Sequence, residues 1–62
     1  MNLPVSRIEI RPIMWGNAFA IDRFDSFGSV FVQYADNLAD AEDKARRAAK
    51  GKPIYLNGEL VE

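Results

Sequence analysis

The chain has no cysteine and no histidine. The first absence excludes a disulfide framework and a thiolate zinc site. The second removes the commonest metal ligand and the usual proton shuttle at neutral pH. No apolar run approaches the ~18 residues of a membrane span. The opening MNLPVSRIEI has no charged region leading into an apolar one, so no signal peptide is expected and the chain reads as soluble and cytoplasmic. An excess of one charge is missing too: eight Lys and Arg stand against nine Asp and Glu, a formal net charge of −1. A generic nucleic-acid binder carries a basic excess, so the balance counts against that class. The four glycines stand singly, which leaves no glycine-rich phosphate loop.

These absences put weight on the core. The 62 residues make a single domain, 1–62. A chain of that size buries only ~60% of the surface its unfolded form exposes. Without a staple it must rely on one compact apolar core or on a partner. Hydrophobic content of 48% and charged content of 27% are those of a globular chain.

The patterns that are present give an order of elements. In RIEIR, Ile8 and Ile10 alternate with Arg7, Glu9 and Arg11, the period of a half-buried strand. Pro12 has no N–H to donate, so it ends that strand or sits on a sheet edge. Gly16 and Asn17 suit a turn with positive φ. AFAIDRF predicts a second strand, with Phe19 and Ile21 inward and Ala18, Ala20 and Asp22 outward. DSFG supplies the next turn. FGSVFVQYAD predicts a third strand that buries Val30, Val32 and Tyr34 and turns Ser29, Phe31 and Gln33 outward.

The period then changes. Asn37 is an N-cap with Asp40 three residues on, a variant of the capping box. Leu38, Ala41, Ala45, Ala48 and Ala49 form one helical stripe, almost wholly alanine, that lets a helix lie close on a sheet. Gly51 suits the residue after the helix and Pro53 prevents its continuation. Ile54 and Leu56 then alternate with Tyr55, and Asn57-Gly58 is a hairpin turn leading into residues 59–61. The predicted fold is α+β: an antiparallel sheet of three to four strands, in the order β-β-β-α-β, with one helix on one face.

One helix leaves the other sheet face open. Arg7, Arg11, Phe31 and Tyr55 are expected there, with Trp15 as a further exposed aromatic, and these five are the candidate protein-binding residues. Phe19, Tyr34 and one of Phe24 or Phe27 are expected in the core. The charges of DAEDKARRAAK pair at i,i+4 as Asp40–Lys44, Glu42–Arg46 and Asp43–Arg47, each worth ~0.2–0.5 kcal/mol. A solvated helix face accounts for them; the alternative is a basic end of Arg46, Arg47, Lys50 and Lys52 that meets an acidic partner. Glu9, Asp22 and Asp25 have no spacing that holds a metal or an acid–base pair, and cross-strand ion pairing accounts for the first two. No catalytic residue, metal or cofactor is expected.

Gly28, Phe31, Val32 and Tyr34 match the signature strand of RNA recognition motifs, which runs basic, Gly, aromatic, small, Phe, Val, any, aromatic. The alanine-rich ADAEDKARRAAKGK and the closing GELV resemble that family's second helix and last strand, so the resemblance spans residues 28–61. It implies that Phe31 stacks on a base. Phe27 replaces the family's basic residue and Ser29 its other stacking aromatic. The strand-strand-strand-helix order is also similar to the end of a double-stranded-RNA-binding domain. There the helix start is lysine-rich; here it holds Asp40, Glu42 and Asp43, which repel phosphate. In size and near-neutral charge the chain resembles small inhibitors of phages and mobile elements, anti-CRISPR proteins among them. That likeness implies a non-catalytic protein that binds a host protein or nucleoprotein complex, alone or as a homodimer. The alternative is a single-stranded nucleic-acid-binding module using Phe31, Tyr55, Arg7 and Arg11.

Overall fold

The computed structural model describes residues 3–62; the first two residues of the N-terminal stretch read above lie outside it. The chain runs β1 (Arg7–Ile13), β2 (Ala18–Asp25), β3 (Gly28–Ala35), α1 (Leu38–Ala49), β4 (Ile54–Leu56) and β5 (Glu59–Leu60). These form one five-stranded sheet in the order β3-β2-β1-β4-β5, with α1 on one face. The α+β architecture with a single packed helix is that expected from the sequence.

The sheet is mixed rather than wholly antiparallel. β1, β2 and β3 form an antiparallel meander, and β4 and β5 an antiparallel hairpin, but β4 pairs with β1 in parallel. The helix is the cause. Its 12 residues run about 18 Å at 1.5 Å each, enough to carry the chain back across the sheet. The next strand therefore starts at the end where β3 started and runs the same way, parallel to β1.

The caps follow local chemistry. Asn37 Oδ1 accepts the Asp40 N–H at 2.8 Å, and Asp40 Oδ2 reaches back to the Asp36 N–H at 3.5 Å. At the other end Lys50 (φ 52°) and Gly51 (φ 92°) both take the left-handed conformation. Asn57 (φ 53°) and Gly58 (φ 88°) make the expected hairpin turn. Pro12 lies within β1 rather than ending it, paired with Phe19. The β4 ladder stops at Ile10, so at Pro12 the strand has a neighbour on one side only, and the missing N–H costs no ladder bond.

The core is Ile8, Ile10, Ile21 and Ile54 from the sheet against Ala41, Ala45 and Ala49 of α1, joined by Ala35. The alanine stripe at i, i+4, i+8 is fully buried, as a close-lying helix requires. Two of the three predicted i,i+4 pairs form, Asp40–Lys44 and Asp43–Arg47, each at 2.9 Å. Arg46 instead reaches the terminal Glu62 at 2.8 Å and ties the helix to the end of the chain. Lys44 also donates to the Tyr34 carbonyl at 3.1 Å.

The third strand departs from its reading. Val30, Val32 and Tyr34 are exposed, not core. Val30 keeps the helix side, paired with Arg23, but lies at a level that α1 does not cover. For Val32 and Tyr34 a β-bulge is the reason: Ile21 pairs with Gln33 while Asp22 pairs with Phe31, so Val32 is an extra residue. One inserted residue reverses the alternation beyond it. Phe31 keeps its outward direction, but Gln33 and Ala35 turn toward the helix and Tyr34 turns away.

Candidate functional site: the open sheet face

Strand pairing arranges the uncovered face in three rows. The middle row runs Phe31, Asp22, Glu9, Tyr55, Leu60 across all five strands. On one side of it lies Ser29, Phe24, Arg7, and on the other Tyr34, Ala20, Arg11. Four of the five predicted binding residues, Arg7, Arg11, Phe31 and Tyr55, therefore share this face. Strands ~4.8 Å apart set Tyr55 about 14 Å from Phe31, on the opposite flank of the acidic pair.

The bulge brings together two aromatics that plain alternation keeps apart. The Phe31 and Tyr34 rings lie 4.5 Å apart between centroids and tilted by 49°. They remain 47% and 63% exposed. A pair in this geometry is worth ~0.5–1.5 kcal/mol beyond its burial. Sequence reasoning missed Tyr34 because nothing in VFVQY marks Val32 as the inserted residue. The only trace is Gln33, a polar side chain in a strand otherwise rich in apolar residues.

The charges of the face cancel locally. Glu9 and Asp22 stand directly opposite each other, a like-charge pairing. Arg7 Nε donates to Glu9 along the same strand, and Arg11 Nε donates to Asp22 across strands at 3.1 Å. Arg7 is further committed: its guanidinium lies 4.1 Å from the Phe24 ring centroid and donates to the Pro4 carbonyl at 2.8 Å. Arg7 thus braces the face, and Arg11 is the arginine left open to solvent. Among the described residues, no group of three or more acids is placed to hold a metal ion.

Trp15 lies off this face, in the turn Met14–Gly16 that joins β1 to β2. Met14 (φ 51°), Trp15 (φ 59°) and Gly16 (φ 87°) are all left-handed, whereas Asn17, expected to share that role, has φ −83°. A left-handed conformation costs a non-glycine residue ~1–2 kcal/mol. The Trp15 side chain is 100% exposed. Phe27 is similarly exposed, at 98%, in the β2–β3 turn that Asp25 Oδ1 closes by accepting the Phe27 N–H at 2.8 Å. Neither Phe24, under Arg7, nor Phe27 is part of the helix-side core.

The predicted basic end is partly neutralised. Arg46 and Arg47 are paired with Glu62 and Asp43. Lys52 lines an open groove of about 610 Å³ with Arg46, Pro53, Ile54, Leu60 and Glu62. Among the described residues, no helix is long and apolar enough to cross a membrane. The chain matches no protein family, no curated protein and no solved structure.

Proposed function

We propose that this is a non-catalytic binding protein that docks on another protein through its open sheet face. The observation that carries this reading is the exposed Phe31–Tyr34 pair beside an Arg–carboxylate network whose charges cancel. Aromatic side chains and arginine are the types that anchor protein interfaces. Tyr55 and Arg11 extend the same surface, and Trp15 offers a separate contact at the β1–β2 end. In size and character the chain is similar to phage and mobile-element inhibitors, so a host protein or nucleoprotein complex is the partner class, as with anti-CRISPR proteins. The test is capture from nuclease-treated host lysate on the immobilised chain. Specific capture lost in both Phe31→Ala and Tyr34→Ala, and kept in Lys50→Gln, supports the reading. Capture that ignores both aromatic substitutions refutes it.

One observation favours a second reading. Two neighbouring aromatics on a sheet are also a stacking platform for single-stranded bases. Both arginines on the face, however, already hold carboxylates, and phosphate binding needs free positive charge. A gel shift with single-stranded DNA and RNA at two salt concentrations separates the two. Binding that falls steeply with salt selects the nucleic-acid reading.

A further inference from the structure

We infer that β3 pairs edge to edge with β3 of a second copy, antiparallel across a twofold axis, to make one continuous ten-stranded sheet. β3 is the outer strand of the sheet, so one side of its backbone has no neighbouring strand. Edge strands are usually blunted by charge, proline or shortness. GSVFVQYA has eight residues, no charge and no proline, and the Lys44 ammonium from α1 reaches its backbone at the Tyr34 carbonyl, near one end of the strand.

Its side chains point to strand addition rather than to a ligand on one face. Val30 pairs with Arg23 on the helix side, at a level where α1 leaves it 52% exposed. Phe31 and Tyr34 are exposed on the other side. A partner lying on either face alone leaves the other apolar group wet, whereas an added strand flanks both.

Two features select a second copy as the occupant. The opposite edge, β5, is two residues long and includes Glu59, so the sheet has one long pairing edge. A single self-complementary edge closes as a twofold dimer and cannot propagate a filament. An uncharged strand also meets no like-charge repulsion against itself. The bulge then fixes the register. Residues up to Phe31 and residues from Gln33 onward are out of phase, so a pair that joins the two segments matches faces only when its residue numbers have an odd sum, and a pair within one segment only when the sum is even. The register that uses the whole strand sets Phe31 opposite the second copy's Val32, Ser29 opposite its Tyr34 and Val30 opposite its Gln33. Two Phe31–Tyr34 pairs then lie side by side on one open face. Strands of about 27 Å make a small interface, so the dimer is concentration-dependent.

Sedimentation of the full chain from about 1 µM to 1 mM tests this, with mass expected to rise from 7.0 kDa toward twice that. Val30→Lys should raise the dimerisation midpoint at least about tenfold, while its circular dichroism and its melt at low concentration stay as in the parent. Leu60→Lys, on β5 and on the open face, should leave the midpoint unchanged. A Ser29→Cys, Tyr34→Cys double variant should oxidise to a covalent dimer, in a chain with no other cysteine. A 7.0 kDa species at every concentration overturns the inference. So does a dimer that Leu60→Lys disrupts and Val30→Lys does not, which assigns association to the open face.

Discussion

Tyr34→Ala separates the bulged strand from plain alternation. If the strand alternated without interruption, Tyr34 would stand in the core, and truncating a buried aromatic costs ~3–5 kcal/mol. That is most of the stability of a 62-residue domain, about 3–9 kcal/mol at 0.05–0.15 kcal/mol per residue. With the bulge, the side chain is 63% exposed, so only about a third of a full burial of ~1.5–3 kcal/mol is lost. Loss of the Phe31 ring contact adds ~0.5–1.5 kcal/mol. The expected cost is therefore about 1–2.5 kcal/mol. The Lys44 bond to Tyr34 goes to the backbone carbonyl and survives the substitution. Urea denaturation followed by circular dichroism reads the difference as a shift in midpoint at constant slope. A double-mutant cycle with Phe31→Ala should return a coupling of ~0.5–1.5 kcal/mol. A loss of 3 kcal/mol or more, or no coupling between the two rings, refutes the bulged register.

Ala45→Leu should destabilise by ~1–3 kcal/mol, because a helix lying this close has no room for added methylenes; a denaturation midpoint equal to the parent's contradicts the packing. Lys44→Gln breaks an exposed ion pair with Asp40, and should cost less, within ~1 kcal/mol, in the same assay. Asn37→Ala removes the cap on the Asp40 N–H, and should cost ~0.5–2 kcal/mol by thermal or urea melts. The hydrogen bond from Lys44 holds the Asp40 carboxyl below its ordinary pKa. Its contribution is present above the unfolded-state value and is lost as pH falls through the folded one, so Asp40→Asn should flatten the acid limb of a stability–pH curve below about pH 4. An unchanged limb shows that the pair does not form in solution.

The sequence by itself determined what depends on near neighbours in the chain. The alternation in RIEIR set Ile8 and Ile10 inward. Asn37 started the helix, the alanine spacing chose its buried face, and Asn57-Gly58 turned the last hairpin. Arg7, Arg11, Phe31 and Tyr55 were legible as open-face residues for the same reason: once the inward set of a strand is known, its neighbours must face out. Tertiary structure decided what depends on distant pairing. Whether β4 joins beside β1 in parallel is set by where α1 sets the chain down, not by IYL. The extra residue at Val32 exists only relative to β2, since a bulge is a mismatch between two strands, and it carries Tyr34 from the expected core to the open face. The partners of the charges were likewise decided in space: Arg46 found Glu62 from the far end of the chain rather than Glu42 one turn away, and Arg7 settled against Glu9, Phe24 and Pro4.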